Sequence, residues 1–148
     1  MVTSETVPYV KTGGLADVVS ALSIALAAQG HEICIVLPRY YQINKTELEL
    51  TPLKGPMGVP MNGQEEWCEV YTGLLPGCSK KNPVKVYFID HEHFFGRDGV
   101  YGTPSEPDFL DNPRRFTFFA ALCFSSAESL TGIRICSMPM TGPAPWCR

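Results

Sequence analysis

A chain of 148 residues is long enough for one globular domain with a hydrophobic core and too short for two such domains. With 45% hydrophobic residues, 18% charged residues and a formal net charge of −3, the composition is that of a soluble protein without a basic patch for nucleic acid. The longest apolar run, around residues 21–28, is too short to cross a membrane, and no export signal precedes it. The composition therefore predicts a cytoplasmic protein that binds neither nucleic acid nor membranes.

Residues 9–19, Tyr-Val-Lys-Thr-Gly-Gly-Leu-Ala-Asp-Val-Val, combine a lysine, a glycine pair and a predicted helix start. Gly13 and Gly14 would allow a sharp turn and close approach of a ligand to the backbone. The helix that follows would point its unpaired N–H groups and the positive end of its dipole at that ligand, and Lys11 adds a mobile positive charge. The combination predicts a phosphate or diphosphate site, although Lys-Thr-Gly-Gly alone could also be a surface turn at the start of an ordinary helix.

The next residues predict one helix and one strand. Between Gly14 and Gln29 the apolar residues Leu15, Val18, Val19, Leu22 and Leu26 recur at helical spacing, and Gly30 follows as a stop signal. This pattern predicts an amphipathic helix whose apolar face packs on a sheet. Residues 32–38, Glu-Ile-Cys-Ile-Val-Leu-Pro, predict a central parallel strand buried on both faces. The strand expected before the helix is nearly missing, because only Met-Val-Thr-Ser stands there, so we expect the natural start to lie upstream.

The middle of the chain is less regular. Prolines and glycines between residues 44 and 63 predict irregular connections or edge strands. Residues 67–73 alternate as in an antiparallel strand, residues 84–90 predict another strand, and a loop over residues 91–108 leads to a helix from Asn112 to about Leu130. The six cysteines form no CxxC pair, which favours free thiols and no disulfides.

The glycine motif differs from the dinucleotide fingerprint, which needs a third glycine, and from the Walker loop, whose lysine follows the glycines. Residues 11–17, Lys-Thr-Gly-Gly-Leu-Ala-Asp, resemble the start of bacterial glycogen synthases and plant starch synthases. The blocks before and after them, Thr-Ser-Glu-Thr-Val-Pro-Tyr at 3–9 and Val-Leu-Pro-Arg-Tyr at 36–40, resemble the same family. So do residues 88–97, 101–102 and 111–116, and the likeness extends to about Leu130.

The resemblance implies a glycosyltransferase of family 5 with a GT-B fold, in which two Rossmann-like domains face a cleft. Such enzymes transfer glucose from ADP-glucose to the non-reducing end of an α-1,4-glucan such as glycogen, with retention of configuration and without a cofactor or metal. Lys11, Gly13 and Gly14 would contact the sugar nucleotide, Asp17 the acceptor side, and Asp111 would be a cleft carboxylate. The implied fold is an α/β, incomplete Rossmann-like sheet with flanking helices.

Several of these side chains also have purely structural interpretations. Asp17 would favourably meet the helix dipole, and Asp111 could cap the helix that follows it. The sequence His91-Glu-His93 suits zinc in residue type, but no second cluster completes a tetrahedral site, so positioning of a loop or contact with glucan is favoured. Arg114 and Arg115 are expected to face solvent or to pair with nearby acids.

Residues 132–148 show no periodicity and contain three prolines. Residues 134–148 can be written as codons with suitable third bases. Read in the frame that starts at the third base of the first codon, these codons encode Asp-Met-Leu-His-Ala-His-Asp-Trp. The family carries His-Ala-His-Asp-Trp at this position. In that frame the codons of Met138 and Pro139 always contain the alanine codon of this motif, and those of Met140 and Thr141 always contain its aspartate codon. We therefore expect residues 1–131 to be part of the N-terminal catalytic domain and residues 132–148 to be an out-of-frame tail. Without the second domain the chain is expected to be inactive alone; the alternatives are a non-catalytic nucleotide-sugar or glucan-binding module and an inert truncated product.

Overall fold

The computed structural model of the chain describes residues 1–53 and 55–131. Its elements in chain order are α1 (Gly14–Ala28), β1 (Cys34–Pro38), β2 (Thr51–Pro52), β3 (Met57–Met61), β4 (Gln64–Leu74), β5 (Lys85–Asp90), α2 (Glu92–Phe95) and α3 (Asn112–Thr131). The predicted tail at 132–148 lies outside the described residues. The predicted helix at 14–29 and the strands near 32–38, 67–73 and 84–90 are all present, within a few residues of the expected bounds.

The strands form a mixed sheet of five strands in the order β1-β5-β4-β2, with β3 paired to β4 as a hairpin. β1 and β5 are parallel, and β4 is antiparallel to β5. On the far side of β1, Val36 donates its N–H to the carbonyl of Met1 at 2.8 Å and accepts from the N–H of Thr3 at 3.0 Å. Residues 1–3 therefore run parallel to β1, and α1 connects the two segments. The predicted α/β, Rossmann-like arrangement is confirmed.

The core lies around the two parallel strands. Every residue of β1 is buried, and so are four consecutive residues of β5, Val86 to Ile89. A strand buried on both faces has no solvent-facing position to mark with a polar residue, which explains the continuous apolar runs in both sequences. The central position predicted for the first of these strands is confirmed, because it lies between residues 1–3 and β5.

α1 buries a different stripe from the one its apolar spacing predicted. Val18 is 49% exposed, and Leu15, Leu22 and Leu26 are only partly buried. The buried residues of the helix are mostly small: Ala16, Val19, Ser20, Ser23 and Ala27. The apolar residues cover a wide arc of the helix, and their spacing does not say which part of that arc meets the core. The predicted helix is therefore confirmed, whereas its predicted contact face is wrong in part.

The segment after β5 contains a helical turn within the predicted loop. His91 caps α2, because its Nδ1 accepts a hydrogen bond from the N–H of Phe94 at 3.3 Å. Phe94 and Phe95 are fully buried. The turn thus inserts two aromatic side chains into the core, between the sheet and α3.

The prediction that Arg115 faces solvent or pairs with nearby acids is wrong, because its side chain is fully buried. Its Nε donates to the carbonyl of Phe94 at 2.6 Å, and its Nη1 donates to the carbonyl of Val100 at 3.1 Å and to Asn112 Oδ1 at 2.6 Å. A guanidinium has five N–H donors, which suits it to loop carbonyls that no helix or sheet satisfies. The neighbouring Arg114 behaves as predicted, since it is half exposed and pairs with Glu66 at 2.6 Å.

Two further features follow from the described part of the chain. Its helices include none with the length and apolar character needed to cross a bilayer. Cys34, Cys68, Cys78 and Cys123 are free thiols. Burial raises the pKa of the Cys68 thiol to about 12 and does the same for Cys123, so both are protonated at neutral pH and behave as small apolar groups.

Candidate functional site

The glycine motif lies at the edge of the sheet where the parallel strands end. Residues 4–13 follow the short first segment, Arg39 and Tyr40 follow β1, and His91 follows β5. The carboxyl ends of parallel strands in open α/β sheets are the usual place for ligands, because the loops that leave them diverge there. The fold therefore brings the predicted phosphate motif to the edge at which a ligand is expected.

Lys11 and Asp17 form an ion pair beside the start of α1. The Lys11 ammonium lies 2.7 Å from Asp17 Oδ2 and 2.9 Å from Oδ1. Both side chains are about half exposed, at 52% and 54%. A pair in this setting is weak, because water screens it and competes for both partners. Lys11 is therefore available to an anion that approaches the helix.

The two glycines have no structural reason to be glycines within the described residues. Gly13 has φ −151°, an extended conformation that any residue can adopt, and Gly14 is already helical. A Cβ added to Gly14 would meet no atom within 4 Å, and one added to Gly13 would lie 3.9 Å from Glu5 Oε1. Neither the backbone angle nor crowding by the chain itself therefore explains them. The space in front of both residues is open.

Glu5 is the residue of this site that sequence reasoning missed. It is 3% exposed, and its Oε2 accepts hydrogen bonds from the N–H of Thr12, from Thr12 Oγ1 at 2.8 Å and from the N–H of Gly13 at 3.2 Å. A carboxylate of the chain itself thus occupies the first amides of the motif. Nothing in the local sequence predicts this contact, because Glu5 stands among hydroxyl and apolar residues, eight positions before Gly13.

The next amides at the start of α1 have no side-chain cap. Gly13 is the N-cap of α1 and provides no side-chain hydrogen bond to the first turn. The N–H groups of Gly14 and Leu15 therefore lack the capping oxygen that Ser, Thr, Asp or Asn would supply. Together with Lys11 they offer hydrogen-bond donors next to the amides that are already bonded to Glu5.

Asp111 lies at the start of α3 and belongs to a second charged group. Its carboxylate pairs with Arg97 Nη2, and its backbone carbonyl accepts from the N–H of Arg115 at 3.0 Å. The hydrogen bond from Arg97 lowers the pKa of Asp111, and the charges of Arg97 and Arg115 act in the same direction, so the carboxylate is ionised at neutral pH. About a third of the side chain is exposed.

The buried hydroxyl of Tyr40 is influenced by charges from both of these regions. Burial raises the pKa of the Tyr40 hydroxyl; the charges of Tyr101 and Glu5 add to this, and that of Arg115 opposes it. The acid that holds the glycine motif and the arginine at the base of α3 thus act in opposite directions on the pKa of Tyr40. Within the described residues, Tyr40 Oη and Arg115 Nη2 are buried without a hydrogen-bond partner.

His91 is packed against aromatic rings of the core. Its ring stacks on Phe94 at 4.2 Å and meets the edge of Phe118 at 4.8 Å. Burial lowers its pKa, although the hydrogen bond to Glu66 opposes the shift. Because Nδ1 accepts from a backbone N–H, Nε2 carries the proton and faces Glu66 at 3.4 Å. Across residues 1–53 and 55–131, no three His, Cys, Asp or Glu side chains are arranged to hold a metal ion.

The family comparison agrees with the fold. Residues 1–138 match the family described as the starch synthase catalytic domain. The chain is 53% identical over 124 residues to a glycogen synthase of Treponema denticola, covering 84% of this chain and 24% of that protein. It is also 39% identical to a glycogen synthase of Moorella thermoacetica, over 98% of this chain and 28% of that one.

A solved structure has a similar fold. The catalytic domain of starch synthase IV from Arabidopsis thaliana, bound to ADP and acarbose, superimposes with a TM-score of 0.66 at 29% identity, over 85% of this chain and 25% of that one. The chain thus spans about a quarter of the length of the relatives it matches. By its sequence match and by its fold, it belongs to the family of the starch synthase catalytic domain.

Proposed function

We propose that the chain is the N-terminal part of a retaining ADP-glucose:α-1,4-glucan glucosyltransferase that works in the cytoplasm. The observation that carries this proposal is the open space at Gly13 and Gly14. Two glycines that neither backbone angle nor crowding requires, placed at an uncapped helix start, are explained by a ligand that approaches the backbone closely. The diphosphate of ADP-glucose fits this space and the charge of Lys11.

Lys11 acts in this proposal as the mobile cation of the donor site. Its pair with Asp17 is exposed, so exchanging one carboxylate for a doubly charged diphosphate requires little free energy. The exchange frees the Asp17 carboxylate, which can then accept a hydrogen bond from a sugar hydroxyl on the acceptor side. Glu5 holds the loop meanwhile through Thr12 and Gly13, so Gly14 and Leu15 remain for the ligand.

Asp111 is proposed as a carboxylate of the cleft. Arg97 keeps it ionised and fixes its orientation, and its exposed part can accept hydrogen bonds from glucose hydroxyls. A fixed negative charge of this kind stabilises positive charge that develops on a sugar ring during glycosyl transfer. We expect Asp111→Asn in a complete synthase to lower kcat more than it raises the KM for ADP-glucose.

We propose that residues 1–148 alone do not transfer glucose. The chain spans about a quarter of the length of its relatives, and a cleft between two domains holds donor and acceptor together and excludes water. Incubation of the chain with radiolabelled ADP-glucose and glycogen tests this directly. We expect no incorporation of glucose into glycogen, and measurable incorporation would show that this quarter of the enzyme suffices.

The donor site is tested by titrating ADP into the isotopically labelled 148-residue chain and following its amide resonances. We expect shifts centred on Gly13, Gly14 and Leu15 that are strongly reduced in Lys11→Ala and partly restored in Lys11→Arg, because a planar guanidinium does not replace a compact ammonium. Lys80→Ala, which removes another exposed lysine, is the matched control. Equal binding of ADP by Lys11→Ala and the unaltered chain would show that the motif is only an ordinary helix start.

The alternatives are a non-catalytic nucleotide-sugar or glucan-binding module and an inert truncated product. We propose that residues 132–148 are an out-of-frame tail, since their codons can encode the family's His-Ala-His-Asp-Trp in another frame. The nucleotide sequence across these codons and beyond tests this. A gene that continues the family sequence after one shift of frame supports the proposal, whereas third bases incompatible with His-Ala-His-Asp-Trp contradict it.

A further inference from the structure

The backbone of Glu5 is fixed by the edge of the sheet. Thr3 donates its N–H to the carbonyl of Val36 at 3.0 Å, which ties the first segment of the chain to β1. The Thr3 hydroxyl donates to the carbonyl of Glu5 at 2.8 Å and accepts from the N–H of Glu5 at 3.3 Å. The sheet therefore sets where the Glu5 carboxylate can reach.

The two carboxylate oxygens of Glu5 have different surroundings. Oε2 accepts three hydrogen bonds from the loop, given by the N–H of Thr12, the hydroxyl of Thr12 and the N–H of Gly13. Among the described residues none donates to Oε1. Outside the chain neighbours of Gly13, Oε1 is the one atom within 4 Å of a Cβ added there, at 3.9 Å. One oxygen thus holds the loop, and the other borders the open space in front of Gly13.

The unused oxygen and the glycine belong to one site. Glu5 is 3% exposed, and a buried acceptor without a donor costs free energy. Lys11, the cation of the motif, pairs with Asp17 and not with Glu5. The space that a side chain at residue 13 would fill is the space from which a ligand can reach Oε1. A ligand that brings a donor to this space satisfies the buried oxygen.

The chemistry of Oε1 selects the group that can lie beside Gly13. A phosphate oxygen is itself an acceptor and carries negative charge, so the carboxylate repels it. A metal ion requires further ligands, and residues 1–53 and 55–131 hold no three His, Cys, Asp or Glu side chains arranged to supply them. A hydroxyl fits, because its O–H donates to a carboxylate in a charge-assisted hydrogen bond. The diphosphate is then expected on the side of Gly14, Leu15 and Lys11.

We propose that Oε1 of Glu5 binds a sugar hydroxyl of the nucleotide sugar, on the glucose or the ribose that flanks its diphosphate. The identity of the ligand rests on the proposed function, which makes ADP-glucose the donor. Glu5 is then a specificity-determining residue of the donor site, because Oε2 holds the loop while Oε1 distinguishes a nucleotide sugar from a bare phosphate. A carboxylate fixed by the loop amides needs no rearrangement to make this contact.

The test compares three probes by their effect on the amide resonances of the 148-residue chain. Pyrophosphate has no sugar hydroxyl, ADP has those of ribose, and ADP-glucose has those of ribose and glucose. In Glu5→Gln the amide oxygen is required by Thr12 and Gly13, so the NH2 group takes the position of Oε1 and cannot accept an O–H.

We expect Glu5→Gln to bind pyrophosphate at least as tightly as the unaltered chain does, because a negative charge is gone. The affinity for the hydroxyl-bearing probe relative to pyrophosphate should fall about tenfold. A fall already seen with ADP assigns the hydroxyl to ribose, and a fall seen only with ADP-glucose assigns it to glucose. Glu106→Gln removes an exposed acid elsewhere and should leave all three affinities unchanged.

Two results overturn the role of Glu5 in recognition. A purely structural role would weaken all three probes by the same factor, and simple charge repulsion would strengthen all three alike. Pyrophosphate binding that is lost in Lys11→Ala, together with unchanged relative affinities in Glu5→Gln, would retain the donor site and reject the role of Glu5. No shift with any probe would reject both.

Analogues of ADP-glucose that each lack one hydroxyl give the same test on the unaltered chain, whether or not Glu5→Gln folds. We expect one analogue to bind about tenfold more weakly than ADP-glucose, since it alone leaves Oε1 without a donor. Equal binding by all of them would contradict the proposal. Circular dichroism of Glu5→Gln and Glu106→Gln shows whether each variant retains the fold.

Discussion

The ion pair of Lys11 with Asp17 and the group of Arg97, Asp111 and Arg115 show two uses of similar side chains. Both place basic groups beside an aspartate at the start of a helix. Lys11 and Asp17 are half exposed and touch little else, whereas Arg115 is fully buried and donates to three acceptors from separate parts of the chain. The first arrangement can exchange partners with a ligand, and the second holds loops in place.

The difference arises from what each cation leaves behind when it is removed. Water replaces an exposed ammonium at almost no cost. Removal of a buried guanidinium leaves carbonyl oxygens without donors and opens a cavity among aromatic rings, including Phe95 and Phe109, which lie 5.4 Å and 5.2 Å from the guanidinium. Stability measurements can therefore separate binding residues from structural residues in this protein.

The largest effect is expected for Arg115→Met. Loss of its hydrogen bonds to Phe94, Val100 and Asn112 should lower the free energy of unfolding by about 3 kcal/mol, because buried acceptors then lack donors. Arg114→Met is the matched control and should cost about 0.5 kcal/mol, since it breaks a half-exposed pair with Glu66. Urea unfolding measures both values, and equal losses would contradict the structural role of Arg115.

A smaller effect is expected for Glu5→Gln. The amide keeps one acceptor oxygen but loses the charge that strengthens its bonds from Thr12 and Gly13, so we expect a loss of about 1–2 kcal/mol. Hydrogen exchange at the amides of Thr12 and Gly13 should accelerate. Glu106→Gln changes an exposed acid elsewhere and serves as the control. Unchanged exchange at both amides would show that Glu5 does not hold the loop.

The smallest effect on stability is expected for Lys11→Met. Breaking its exposed pair with Asp17 should change the free energy of unfolding by about 0.5 kcal/mol or less. Urea unfolding at low and high salt measures this, and the small difference should shrink further as salt screens the pair. A loss comparable to that of Arg115→Met would place Lys11 among the structural residues and weaken the proposed donor role.

Local patterns were sufficient for most of the backbone elements. The continuous apolar run at 33–37, the alternation around Trp67 and the stop at Gly30 each depend on neighbours within a few residues, and the structure has the corresponding strands and helix end. The glycine motif was also recognisable, because its lysine, glycines and helix start are adjacent in sequence. Its position at the carboxyl edge of the sheet was established by the structure.

The contacts of Glu5 and Arg115 could not be predicted in this way. Glu5 meets Thr12 and Gly13 only because the chain turns back between them, and Arg115 meets Phe94 and Val100 across a loop. A charged residue on a helix is usually solvated, so local reasoning assigned Arg115 to the surface. The contact face of α1 was misjudged for a related reason, since apolar spacing marks an arc and not the part of it that is covered.

The sequence by itself determined the α/β class, the approximate bounds of the main elements and the family, because each depends on short-range periodicity or on adjacent residues. Only the tertiary structure decided which charges are buried, that the Glu5 carboxylate accepts hydrogen bonds from the first amides of the motif, and that the exposed Trp67 packs against Gly58. Burial and partner choice depend on residues distant in sequence, and the free energy of a charged group changes sign with its surroundings.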